Sequence, residues 1–165
     1  MSRGFILIEA SISYIVLSLA LVALVPMFIL SMRANKASEK VAVATHLCQE
    51  LLEEVRLHRW DEATPAPAVH IAAGGALGVD AGETASDKRT FDDVDDFDGW
   101  TESPPQDPVM RPLTAFATYS RSVTVGYLNA SFQPAGAPTD LKRVAVCASA
   151  PKLIPICLDT ILANR

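Results

Sequence analysis

Between Phe91 and Trp100 the chain reads FDDVDDFDGW, which places carboxylates at Asp92, Asp93, Asp95, Asp96 and Asp98. Oxygen ligands crowded this closely suit a hard cation, and calcium takes about six to eight of them. The EF-hand spacing fails here, because it requires Asp or Asn at position 94, which Val94 occupies. A polar turn is the competing reading. In it Phe91, Val94, Phe97 and Trp100 anchor the segment to a core while the aspartates cap backbone amides and face water. Both readings, a calcium site and a solvated turn, are expectations for the structure to judge.

Other residues able to do chemistry are scattered. His46 and His58 stand twelve residues apart on one expected helix, which keeps them no closer than about 18 Å. There is no G-x-S-x-G nucleophile elbow and no H-E-x-x-H pair. Gly74, Gly75, Gly78 and Gly82 lie in an Ala/Gly/Pro-rich stretch, Thr64 to Arg89. That stretch lacks the Lys-Ser/Thr step or the G-x-G-x-x-G spacing of a phosphate loop and reads as an excursion. Asp61 and Glu62, beside Trp60, read as residues that close a helix. The chain is therefore not expected to be an enzyme. A net charge of −5 without clustered Lys and Arg gives no footprint for nucleic acid.

The elements that must position these residues begin with an apolar run. Phe5 to Met32 reads FILIEASISYIVLSLALVALVPMFILSM, longer than the roughly 20 residues a helix needs to span a bilayer. It continues into a charged helix without the cleavage site of a secretory signal, so it is expected to be retained. Two residues are odd for a plain anchor. Glu9 puts a carboxylate in lipid, at about 2.5 to 3.5 kcal/mol on insertion scales, and so calls for a cation. Pro26 removes a helix hydrogen bond, and a kink or local melting near Val22 to Pro26 is expected.

Beyond the run, Val41, Ala44, Cys48, Leu51, Leu52 and Val55 recur at spacings of three and four, an amphipathic stripe that must pack on something. The helix is expected to end near Trp60 to Pro65, with Cys48 as a small buried core residue. Strands are expected over Phe116–Leu128, Leu141–Ser149 and Leu153–Ile161. In the first, Tyr119, Arg121, Val123, Val125 and Tyr127 share one face. Ser103 to Pro112, with four prolines, reads as an extended connector. If Lys152 centres the turn of the last hairpin, Cys147 and Cys157 come opposite one another, within reach of a disulfide. The fold class expected is α+β, a long helix whose stripe covers a small antiparallel sheet.

Gly4, Phe5, Ile6, Leu7, Ile8 and Glu9 resemble the processing site of type IV prepilins, where a peptidase cuts after the Gly and methylates the new N-terminal Phe. Glu9 is then the fifth mature residue, and Pro26 the twenty-second, where many members of that family carry a proline. The resemblance implies that Glu9 pairs with the N-terminal amine of a neighbouring subunit. It also implies a leader at 1–4, a membrane and filament-core half-helix at 5–32, an amphipathic half at 33–63 and a β-rich head at 64–165. Arg33, Lys36 and Lys40 follow the span and by charge count would sit inside. The resemblance implies the opposite orientation, because the peptidase acts on a cytoplasmic leader.

The acidic stretch, the strand LKRVAV and the terminal ILANR are similar to those of MshD-like minor pilins of the mannose-sensitive haemagglutinin pilus. The implied function is that of a minor pilin. Its partners would be other pilin subunits, the prepilin peptidase, an inner-membrane assembly platform and, before assembly, lipid. A type II secretion pseudopilin is the alternative within the same machinery. A periplasmic, calcium-dependent domain tethered by its N-terminal helix is the alternative of another class.

Overall fold

The computed structural model describes residues 3–64, 70–71 and 74–164, with side chains from residue 7 onward. The chain divides into two compact units, Met1–Lys40 and Val41–Arg165. Helix α1, Arg3–Arg56, supplies the described part of the first unit and opens the second.

In the first unit every described side chain from Leu7 onward is exposed, although most are apolar. The helix is long and apolar enough to cross a membrane. Two of its hydroxyls are satisfied by the helix itself: Ser11 Oγ donates to the Leu7 carbonyl and Ser18 Oγ to the Tyr14 carbonyl, each at 2.8 Å. Such back-bonding is what an apolar medium demands of a polar group. Of the kink or local melting expected near Val22 to Pro26, the melting does not occur; the helix runs unbroken through Pro26. A proline removes one N–H, and the bonds on either side suffice to carry the helix across.

In the second unit the stripe becomes a core, except for Val41, which is exposed. Ala44, Leu47, Cys48, Leu51, Leu52 and Val55 are buried against Val123, Val125, Val144, Val146 and Ala148 of the sheet, with Phe91, Val94, Phe97 and Trp100 completing the cluster. Each fully buried Leu or Val contributes about 1.5–3 kcal/mol, so Leu51→Ala would cost about 2–5 kcal/mol. The Cys48 thiol lies inside this layer and donates to the Ile156 carbonyl at 3.2 Å; burial pushes its pKa up. The helix stops at Arg56, earlier than expected. Leu57 and His58 bond back to Glu54 and Val55 before the chain turns to bridge Arg59 to Asp93.

The sheet is an antiparallel meander in the order β1 (Thr101–Glu102), β2 (Ser120–Leu128), β3 (Leu141–Ser149), β4 (Ile156–Ala163). The architecture is α+β. Phe116, expected to open β2, closes the 3-10 turn Thr114–Phe116 instead, and β4 begins at Ile156 after a longer connection than a tight turn. Strict alternation along β2 and β3 sets one face against the helix: Arg121, Val123, Val125 and Tyr127, then Lys142, Val144, Val146 and Ala148, are all buried. Ser103–Pro112 is not an extended connector. The Asp107 carboxylate accepts from the amides of Val109 at 3.1 Å and Arg111 at 2.8 Å, and this aspartate-centred capture folds the segment into a turn.

Candidate functional site

Two strand positions that pattern assigns to the apolar face carry cations. The Lys142 side chain is wholly buried. Its Nζ donates to the Trp60 carbonyl at 2.6 Å, Asp95 Oδ1 at 2.5 Å and Asp61 Oδ2 at 3.4 Å. It also stands 4.2 Å from the Trp60 ring centroid and 5.5 Å from that of Tyr127. Arg121, also wholly buried, donates through Nε to Glu102 Oε2 at 2.8 Å and through Nη1 to the Leu47 carbonyl at 3.1 Å. Glu102 in turn accepts from Lys88 Nζ at 2.9 Å and Trp100 Nε1 at 3.1 Å. Burial alone would raise the Glu102 pKa; Lys88 and Arg121 outweigh it and hold the carboxyl below its usual range. Charges taken out of water must be paired and hydrogen-bonded, and these are.

The acidic segment sits against this network. Val94, at the start of the 3-10 turn Asp95–Phe97, and Phe97 are drawn into the core, and Asp93, Asp95 and Asp96 go with them, at 1%, 2% and 2% exposure. The expectation that the aspartates face water is therefore corrected for these three. The reason is compensation: Asp93 Oδ1 accepts from the amides of Asp95 and Asp96, and Asp96 Oδ2 from those of Asp92 and Asp93. Burial and the Asp95 carboxyl beside it push Asp93 up to about 8. Asp92, exposed, is ion-paired with Arg59. Asp98 turns away and accepts from the Val125 amide at 2.8 Å.

The five aspartates consequently do not converge on one point. Asp95 faces Lys142 and Asp98 faces strand β2, and the remaining three are joined by acids from outside the segment. Glu83, Asp92 and Asp96 each bring an oxygen to within 4.8 Å of the others, as do Glu62, Asp80 and Asp93. Burial and the adjacent Asp96 push Glu83 up to about 7. Glu62, Asp80 and Glu83 come from the helix exit and the glycine-rich excursion, whose sequence offers no periodicity to place them. Arg121 and Lys142 did carry a signal, since period-two alternation puts both on the helix-facing side.

Cys147 and Cys157 pair across β3 and β4 and form a disulfide of S–S 2.10 Å. At the other end, Gly4 and Phe5 lie in the helical backbone of α1; their side chains, and residues 1–2 of the expected leader, lie outside the described residues. Glu9 and Pro26 are both exposed on the apolar helix. Compared with protein-family models, curated proteins and solved structures, the chain matches none of them.

Proposed function

We propose that this chain is a structural subunit, a minor pilin, of a type IV pilus-type filament, cut between Gly4 and Phe5 and assembled through its N-terminal helix. One observation carries the reading: an apolar helix, exposed at every described side chain from Leu7 to Lys40, holds a carboxylate at Glu9 with no hydrogen bond or ion pair among the described residues. Before assembly lipid covers such a surface; afterwards neighbouring helices do. A new N-terminal amine on the adjacent subunit supplies the cation that a carboxylate in an apolar medium requires. The placement follows: a single span in the inner membrane with the head in the periplasm, then a filament. The Cys147–Cys157 disulfide supports an oxidising compartment for the head. The role is assembly rather than catalysis, with other pilins, the prepilin peptidase and the assembly platform as partners.

The test is Glu9→Ala in cells that make the filament. Assembly or subunit recruitment is expected to fail while the protein still accumulates in the membrane. Normal incorporation of the variant would favour a tethered periplasmic domain instead.

A further inference from the structure

We infer that Glu83, Asp92 and Asp96 form a calcium site that ties the glycine-rich excursion to the acidic turn. Oxygens of the three lie within 4.8 Å of one another, close enough to share one hard cation. Acidic residues often gather at a surface without binding anything, so the state of Asp96 matters more than the count. Asp96 is 2% exposed. Its Oδ2 is occupied by the amides of Asp92 and Asp93, at 3.1 and 3.0 Å. Its Oδ1 is buried and has no hydrogen-bond partner among the described residues, in the carboxylate that Glu83 and Asp92 flank. A buried carboxylate oxygen left unsatisfied is costly; without a cation, a proton held on Glu83, which burial and Asp96 push up to about 7, is its alternative partner. A cation satisfies it and relieves the repulsion among all three.

The surroundings suit calcium. Glu62, Asp80 and Asp93 form a second acidic group beside the first, and the Asp80 amide donates to Glu83 Oε2 at 3.3 Å, so the two groups share a loop. Arg59 Nη2 pairs with Asp92 Oδ2, which leaves Asp92 Oδ1 for the ion. All donors are oxygen. Asp92 is exposed and Glu83 half-buried, which leaves room for the waters that complete a coordination shell of about six to eight. Ligands from an irregular loop form a yielding cage, and calcium accepts that where magnesium demands an octahedron. The inference stands on the head alone and does not depend on filament assembly.

The experiment is calorimetric titration of the full-length protein in detergent with calcium chloride, and separately with magnesium chloride, alongside thermal melts with each ion or with chelator. One calcium per chain is expected, with dissociation in or below the range of about 0.1–1 mM common to extracellular modules, and a higher melting temperature in calcium than in chelator. Asp96→Asn, which retains a carbonyl for the two amides, and Glu83→Gln, which retains an acceptor for Asp80, should each weaken calcium by about tenfold or more. Asp159→Asn, on strand β4, should leave it unchanged. Glu83→Gln keeps the test decisive if Asp96→Asn fails to fold. No heat and no melting shift at about 5 mM calcium, well above that range, would overturn the assignment. So would equal binding of magnesium, or undiminished binding in Glu83→Gln.

Discussion

Glu102→Gln removes the carboxylate that Lys88 and Arg121 share beneath the sheet. In the native head its Oε1 accepts from Lys88 Nζ and Trp100 Nε1, and its Oε2 from Arg121 and from the Gln106 amide at 3.0 Å. Glutamine fits the space but turns an NH₂ toward one of these donor sets, and it leaves two wholly buried cations short of a counter-charge. Breaking a buried pair from one side costs about 3–5 kcal/mol. Glu54 at 2.9 Å from Lys88 and Glu50 at 3.7 Å from Arg121 remain as partial partners, which puts the expected loss at the lower end, about 3 kcal/mol. For a head of this size that is a fall of roughly 10 °C in Tm. The assay is thermal and urea unfolding of the full-length protein followed by tryptophan fluorescence, since Trp100 touches Glu102 and Trp60 touches Lys142. Lys88→Met should cost less in the Glu102→Gln background than alone, because its partner is already gone. A loss under about 1 kcal/mol, the value of a surface pair, would refute the burial argument.

Further outcomes follow from the same geometry. The Glu102 carboxyl is held below the ordinary value of 4.5, against the effect of burial, by Lys88 and Arg121. Its contribution is therefore present above about pH 4.5 and is lost as pH falls through the lower folded value; acid unfolding curves of Glu102→Gln should lack that part of the decline. Replacing Cys147 and Cys157 by Ser opens a link of sequence separation 10 and should destabilise the head by about 2–3 kcal/mol, as should reduction of the native protein. At Gly74 an added Cβ would meet Tyr127 Oη at 2.2 Å. Gly74→Ala should therefore cost about 1–3 kcal/mol, whereas Gly136→Ala, which meets nothing within 4 Å, should stay within about 0.5 kcal/mol, both read by urea midpoints.

The α+β layout was legible because it rests on repetition. Three-four spacing from Ala44 to Val55 and alternation from Arg121 to Tyr127 each state a face many times over, and the faces meet in the core. What was not legible rests on single side chains. The sequence shows Asp93, Asp95 and Asp96 as charges, and charges are read as solvated; only the fold reveals Lys142 beneath Asp95 and amides around the other two. The two-residue strand β1 is likewise too short for any pattern, and it forms because Thr101 and Glu102 find Ser122 and Arg121. Glu83 could not have been joined to Asp96 from sequence, since the chain between them has no periodic element to set their separation.

Processing at the N-terminus is tested by the mass of the N-terminal peptide from cells with and without prepilin peptidase. A peptide beginning at methylated Phe5 is expected only where the peptidase is present. A peptide that still carries Gly4 in both would contradict it, and would leave the chain a head tethered by an uncut helix.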